Sequence, residues 1–356
     1  MLKTRRDFEL DAPPWLIDGW IPLGHRVMDT APEGSYKTIF GCWLAVCIAS
    51  GTPVFGHHVQ RGSVLLVDEE TPNSSLVYHL ERFAQGLGFR FDKLPIYVFS
   101  MTGFRFGRKT ELDKLIRFIR TIEPVFIRMD SMLAMLPGGR QATGENDCHL
   151  GEIIRDDLTD MIKANPACSI MLSAHSKKFT SEMRLEDVRE LQMQSLVRGH
   201  GSIVGEGCDT GLIVKKIGEY PKPSRFAVIT RARRQAIPAS VKILHIEMEE
   251  QAYGEGWARL KEIPSDELPP TELAKEIYPL FVEKDAKGEY KNRATSGIVS
   301  TCALLSKKEC REGIQELVSR KIIVRGRKPQ HYILSPFIKY EVNEKYLKEL
   351  NTSGSP

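Results

Sequence analysis

The sequence predicts an α/β chain, with a mostly parallel sheet flanked by helices and a small basic domain behind it. Three observations carry this. Short apolar runs that end on a polar residue recur between helical stretches, as buried parallel strands joined by crossover helices do. A Gly-Ser turn followed closely by Lys and Thr stands between one extended run and an apolar helix. A stretch rich in proline and acidic residues, 264–270, separates this body from the rest, since proline continues neither a helix nor a central strand.

Each element has its own signature. Runs at 63–68, 124–130 and 168–174 read as buried strands, and 211–214 and 226–229 are further strands. Helical patterns at 112–122 and 153–163 supply crossovers. The apolar stretch 39–50 is a helix that Gly51-Thr52-Pro53 stops. At 356 residues the chain has room for about two domains.

Composition narrows the function classes. Hydrophobic residues make up 42% and charged residues 27%, ordinary globular values that exclude a disordered or collagen-like chain. No apolar stretch approaches the roughly 18 residues of a membrane helix, so no membrane partner is expected. Basic residues at the N-terminus have no apolar run behind them, so no secretory leader is expected. Seven cysteines, none in a Cys-x-x-Cys pair, suggest reduced thiols and a cytoplasmic setting. The net charge of +4 is unevenly placed. Residues 271–350 hold 16 Lys and Arg against 11 Asp and Glu, and the remainder holds 34 against 35. A basic module behind a neutral body points toward nucleic acid.

The most informative stretch is Ala31-Pro32-Glu33-Gly34-Ser35-Tyr36-Lys37-Thr38-Ile39. It fits the frame of a Walker A loop, Gly-x-x-x-x-Gly-Lys-[Ser/Thr], with Ala31 and Tyr36 in the two glycine positions. The chemistry survives both departures. Gly34 and Ser35 can make the tight turn, and the loop from Pro32 to Ile39 can wrap phosphate oxygens at the helix start, with the backbone N–H groups after Pro32 as donors. Lys37 is placed to reach the β- and γ-phosphates of ATP, and Thr38 to ligate Mg²⁺. Tyr36 must tolerate backbone angles that glycine normally takes.

Hydrolysis also needs an acid that anchors the metal and a group that orients water. Asp130 ends a buried run as a Walker B aspartate would. Glu69 and Glu70 end the run before it; Glu69 is the candidate for polarising water, with Glu70 as the alternative. Strand-tip carboxylates face the crevice where open parallel sheets bind ligands. His175 ends a third run and is placed to sense the γ-phosphate.

These residues, together with the segments 13–22, 173–177 and 198–202, resemble the RecA-type ATPases related to RepA, the hexameric replicative helicases of plasmids and phages. The resemblance covers about residues 13–240 and implies a RecA-like P-loop ATPase domain, which the proline-rich linker 264–270 bounds at 1–263 and joins to the basic C-terminal module. It implies a homo-oligomeric ring, with a hexamer favoured, ATP between subunits and single-stranded DNA in the channel. The family's catalytic glutamate falls on Glu69, its strand-end histidine on His175 and its arginine finger near Arg198. A basic-x-basic pair on a late strand, here Arg231 and Arg233, would reach the neighbouring nucleotide. The polar stretch 179–194 would supply channel loops.

Residues 271–340 read as helix, helix, helix, hairpin, and 341–356 as a tail. Ser306-Lys307-Lys308-Glu309 is a capping-box pattern opening the third helix, and a basic hairpin comes after it. The pattern resembles a winged helix-turn-helix, in which Lys307, Lys308 and Arg311 would meet the DNA groove and Arg325, Arg327 and Lys328 would grip its backbone. The first functional reading is an ATP-driven DNA motor, a helicase. The alternative is an ATP-gated DNA-binding regulator or recombination mediator that does not unwind; a third reading is an assembly factor whose catalysis Tyr36 has damaged.

Overall fold

The computed structural model describes residues 14–137, 147–177, 208–217, 225–232, 243–250, 256–263, 272–282, 293–294, 296, 298, 307–320, 322–325, 331–334, 347 and 350. The chain divides into two compact units, 1–262 and 263–356.

In the first unit a short antiparallel hairpin, β1 (Trp15–Ile17) and β2 (Ile21–Pro22), leads into β3 (Arg26–Ala31). Then come α1 (Lys37–Ser50), β4 (Val64–Asp68), α2 (Asn73–Gly86), a 3₁₀ turn at Phe91–Lys93 and β5 (Ile96–Ser100). They are succeeded by α3 (Lys109–Ile122), β6 (Phe126–Asp130), the single turn α4 (Met132–Met135), α5 (Asp147–Ala164) and β7 (Ser169–His175). Strands β8 (Thr210–Ile217), β9 (Arg225–Ala232), β10 (Ile243–Glu250) and β11 (Ala258–Glu262) complete the unit. Among the described residues, nine strands form one sheet in the order β11-β10-β9-β8-β3-β7-β6-β4-β5.

Strands β8, β3, β7, β6, β4 and β5 are parallel, and β9, β10 and β11 extend the sheet antiparallel. Most of the pairings are parallel, as expected, and the antiparallel extension makes the sheet mixed. The reason is connection length. The segments 218–224, 233–242 and 251–257 are shorter than the dozen or so residues that a parallel crossover needs.

The strands β3, β7, β6 and β4 are buried on both faces and alternate between two cores. One face packs Val27, Leu66, Phe126 and Met171 against α1 and α2. The other packs Met28, Leu65, Ile127 and Leu172 against α3 and α5. Helix α1 is apolar all round because it lies between the sheet and α2, where Trp43 meets Phe83 edge-on at 5.4 Å. A left-handed Gly51 ends it, donating its N–H to Cys47 O.

The second unit contains α6 (Glu272–Ile277), α7 (Pro279–Val282), β12 (Arg293–Ala294), α8 (Lys307–Ser319), β13 (Ile323–Arg325) and β14 (His331–Leu334). The strands pair antiparallel in the order β12-β14-β13. Its core holds Ala274, Ile277, Phe281, Cys310, Ile314, Leu317 and Ile323. The expected first helix is broken at Tyr278, before Pro279, because a proline inside a helix removes a backbone donor. The sequence pattern predicts a second helix over 294–304, but Ala294 lies in β12.

The described cysteines, Cys42, Cys47, Cys168, Cys208 and Cys310, are buried. Among the described residues no helix is long and apolar enough to cross a membrane.

Candidate nucleotide site

The order of the central strands decides what can meet. β7 lies between β3 and β6, and β4 lies beyond β6, so the C-terminal tips of four parallel strands share one edge of the sheet. The loop that leaves β3 runs over these tips into α1. Gly34 takes φ +74° and Tyr36 takes φ 61°, ψ 13°. The loop thus keeps a left-handed turn in the second glycine position although a tyrosine stands there. The Tyr36 ring is stacked on Phe226 of β9, with centroids 5.6 Å apart and planes at 21°.

A cavity of about 360 Å³ opens at this edge, lined by Pro32, Glu33, Gly34, Ser35, Tyr36, Lys37, Thr38, Ile39, Glu70, Thr71, Asp130 and His175. The loop residues singled out in the sequence therefore line one cavity with Asp130 and His175. Thr38 Oγ1 donates to Asp130 Oδ2 at 3.1 Å. Lys37 Nζ lies 3.6 Å from Asp130 Oδ1. The Lys37 side chain is 8% exposed, and its ammonium makes no hydrogen bond in the protein. A buried donor is rarely left unmatched, so an ammonium in this state suits an anionic guest. The peptide after Asp130 is cis.

The two glutamates part company. The Glu69 side chain is 3% exposed and is taken up by the segment after β5. Its Oε1 accepts from the Thr102 N–H at 2.9 Å, the Thr102 hydroxyl at 2.8 Å and the Phe104 N–H at 3.1 Å; its Oε2 accepts from the Gly103 N–H at 2.9 Å. Glu69 does not line the cavity and Glu70 does. Glu70 Oε2 is 3.5 Å from His175 Nε2. The His175 hydrogen bond lowers the Glu70 carboxyl to about 2; partial burial opposes this, and a hydrogen bond from Ser131 assists.

Sequence reasoning missed the layer beneath. Arg128, two residues before Asp130, points to the same face and is 3% exposed. Its Nη2 donates to Asp130 Oδ2 at 2.8 Å and to Ser173 Oγ at 2.9 Å, and lies 3.7 Å from Asp29 Oδ2. Ser173 Oγ donates in turn to Asp29 Oδ1. Burial alone would lower the Arg128 pKa, but Asp130 and Asp29 more than offset it, so the guanidinium stays charged. Burial likewise acts to raise Asp130, and Arg128 and Lys37 outweigh it, holding that carboxyl at about 2. Asp68, level with Asp130 on the neighbouring strand, is pushed up to about 6 by burial and by the Asp130 charge. The available signal was charged or hydroxylated residues inside largely apolar runs, Asp29, Arg128 and Ser173 among them.

The remaining candidates lie away from the cavity or outside the described residues. Arg231 is in β9, in register with Gly211 of β8. Arg198, Arg233, Arg327 and Lys328 lie outside the described residues, as does the stretch 179–194. In the second unit, Lys307 and Lys308 open α8, Arg311 is exposed on it, and Arg325 ends β13.

No curated protein matches the chain. Among solved structures, a KaiC-like protein from the hyperthermophilic archaeon Pyrococcus horikoshii aligns at 16% identity over 70% of this chain and 96% of its own, with a TM-score of 0.43. The AAA domain family matches residues 2–181, half of the chain. That span contains the loop over β3, both glutamates, Asp130 and His175, and the chain belongs to the AAA domain family of P-loop ATPases.

Proposed function

We propose that this chain hydrolyses Mg²⁺·ATP in the cavity over β3, and that its nucleotide state governs how it holds DNA. The observation that carries the first half is the Lys37 ammonium, buried against Asp130 and without a hydrogen bond of its own. Backbone N–H groups of the loop and Lys37 would bind the phosphates. Thr38 and Asp130 would hold the metal, an arrangement that their 3.1 Å hydrogen bond suits. Mg²⁺, when bound, would draw charge from the phosphate oxygens.

The role of orienting water goes to Glu70 in place of Glu69, whose oxygens are already engaged. With its carboxyl held at about 2, Glu70 is a poor proton sink. It would accept a hydrogen bond from water and aim it, which is the assistance phosphoryl transfer most needs. His175, bridging toward Glu70, would fix that carboxylate and meet the γ-phosphate.

The second half rests on the C-terminal unit. An exposed Arg311 on α8, with Lys307 and Lys308 at its start, precedes the β13–β14 pair, the order a winged helix-turn-helix would have. An ATP-gated DNA-binding regulator or recombination mediator is the reading we favour. A ring-forming helicase, a hexamer with DNA in its channel, is the second reading. The observation that favours it is Arg231 on the antiparallel extension, two strands from β3, from where an arginine could serve a neighbouring copy's nucleotide.

The test uses the purified full chain. ATP turnover, duplex and single-strand binding with and without a non-hydrolysable analogue, and strand displacement are measured together. Nucleotide-dependent DNA binding without displacement supports the regulator. Displacement driven by ATP replaces it with the helicase. DNA binding indifferent to nucleotide overturns both, and Lys37→Ala with unchanged turnover overturns the site.

A further inference from the structure

The polar residues beneath the cavity form a layer of their own. On the face of the sheet toward α1, Val27, Phe126 and Met171 belong to the apolar core. Two residues further along the same strands, and so on the same face, stand Asp29, Arg128 and Ser173. All three are buried. Two residues beyond Arg128 stands Asp130, which lines the cavity.

Two choices in this layer are each unfavourable alone. A buried ion pair is no more stabilising than apolar residues of the same volume, because both charges lose their hydration. Gly41 lies in the interior of α1, where alanine would suit the helix better. They explain each other. A Cβ on Gly41 would lie 2.0 Å from Arg128 Nε and 2.5 Å from its Cδ and Cζ. The helix gives up a side chain so that the guanidinium can lie flat beneath it. An arrangement that core packing alone does not favour calls for another role, and the contacts name it. Arg128 Nη2 reaches Asp130 Oδ2, the oxygen that also accepts from Thr38, and lies 3.4 Å from Lys37 O at the start of α1. This leaves Asp130 Oδ1 on the side of Lys37 Nζ.

We propose that Arg128 is a positioning residue for the metal-anchoring carboxylate: held by Asp29 and Ser173, it fixes the orientation of Asp130 relative to Thr38 and Lys37, and so ties the phosphate-loop strand, the His175 strand and the Asp130 strand into one rigid site. This rests on the Mg²⁺·ATP reading above. Its consequence is specific. Disturbing the layer weakens metal binding and turnover while the loop keeps its grip on the phosphates.

The experiment uses the full chain and three variants: Ser173→Ala, Arg128→Lys and the charge-matched pair Asp29→Asn with Arg128→Met. Affinity for a fluorescent ATP analogue is measured without metal. Mn²⁺ affinity in the presence of a non-hydrolysable analogue is read by electron paramagnetic resonance, and kcat and KM are measured at saturating Mg²⁺. For Arg128→Lys, Mn²⁺ affinity and kcat should each fall about 10- to 100-fold, the usual cost of losing a partner that orients a metal ligand. Metal-free nucleotide affinity should stay within about threefold, and Ser173→Ala should shift in the same direction by less. Should Arg128→Lys fail to fold, Ser173→Ala and the charge-matched pair make the same comparison. Mn²⁺ affinity and kcat that hold steady while unfolding stability drops would make Arg128 a core ion pair only and overturn the proposal. A parallel loss of metal-free nucleotide affinity would overturn it too. Failure of the wild-type chain to bind any nucleotide is a different result, and sinks the ATP reading itself.

Discussion

Tyr36 lies against Phe226 with ring centroids 5.6 Å apart and planes at 21°, while its own backbone sits at φ 61°. The two facts belong together. A left-handed residue other than glycine costs about 1–2 kcal/mol, and an aromatic pair returns about 0.5–1.5 kcal/mol beyond its burial. Phe226 also meets Phe40 edge-on at 6.1 Å, so the ring of Tyr36 joins a cluster that pins the first turn of α1 to β9. Tyr36→Ala keeps the backbone cost and loses the ring, whereas Tyr36→Gly loses the ring but removes the cost. Urea unfolding should therefore rank wild type above Tyr36→Gly and Tyr36→Gly above Tyr36→Ala, with about 1 kcal/mol between the two variants. The reverse order would mean that the loop is not held left-handed in solution.

Glu69 and Glu70 are neighbours in sequence with opposite surroundings, and Gln substitution separates them. Glu70→Gln should lower kcat by about 100-fold, as loss of a group positioned for proton or water handling does, with little change in KM. Glu69→Gln should do the opposite. It weakens charge-assisted hydrogen bonds to the 102–104 backbone, costing about 1–3 kcal/mol in stability, and leaves kcat within about tenfold. Steady-state turnover and urea unfolding on both variants decide the assignment. A large kcat loss in Glu69→Gln alone would return the role to Glu69.

Much of this was legible in the sequence, for identifiable reasons. The strands ending at Asp68, Asp130 and His175 announce themselves because strands buried on both faces are continuous apolar runs with polar tips. The helix after Lys37 is legible because it is apolar and ends on a glycine. The antiparallel strands β10 and β11 were not, since Ile243–Glu250 ends in alternating apolar and charged residues, Ala258–Glu262 alternates throughout, and neither carries such a run. The choice between Glu69 and Glu70 was beyond reach for another reason. Which of two adjacent acids faces the cavity depends on the 102–104 backbone, some thirty residues away, and no local pattern encodes it. Arg128 was visible but unread, because a lone charge in an apolar run gains meaning only when its partners on β3 and β7 are known.

Asp68 gives the stability a pH signature. Its Oδ1 accepts from the Glu70 and Thr71 N–H groups at 2.9 and 2.6 Å, while Oδ2 is buried without a hydrogen bond. Burial, with Asp130 opposite, raises its pKa to about 6, above the unfolded value of about 3.9. The folded state thus binds this proton more tightly than the unfolded state. The resulting stabilisation is complete below about pH 4 and is lost as pH rises to about 6. Asp68→Asn removes the titration and keeps an Oδ1 acceptor. Relative to wild type, its stability should climb between pH 4 and 6 by up to about 3 kcal/mol and then level off. Urea unfolding at half-unit pH steps checks it. Glu70, lowered from its ordinary value to about 2, contributes stability that is lost only as pH falls below about 4.5, so above that pH the change belongs to Asp68. A flat difference between wild type and Asp68→Asn would show that Asp68 titrates normally.

If α8 meets DNA, Arg311 should contribute through phosphate charge. Arg311→Ala should weaken duplex binding at moderate salt and reduce the magnitude of the slope of log K against log salt by about 0.9. Turnover of ATP without DNA should not change, since Arg311 lies in the second unit and lines no part of the cavity. Fluorescence anisotropy across a salt series measures the slope. An unaltered slope would remove Arg311 from the interface and direct attention to other basic residues of 271–350.

Gly41 offers the sharpest packing test, because general expectation and local geometry disagree in sign. Gly→Ala inside an exposed helix stabilises by about 1 kcal/mol. Here the added methyl would meet Arg128 Nε at 2.0 Å, and the guanidinium cannot swing aside without breaking its bonds to Asp130 and Ser173. Gly41→Ala should therefore destabilise, by about 1–3 kcal/mol as overpacking does. Combined with the charge-matched Asp29→Asn and Arg128→Met, which replace the fork by a flexible apolar chain, the same methyl should cost much less. The difference is a coupling energy of about 1–2 kcal/mol in a double-mutant cycle. Urea unfolding of the four proteins supplies the cycle. A Gly41→Ala penalty that persists undiminished in the charge-matched background would show that α1 is held off the sheet by something other than the guanidinium.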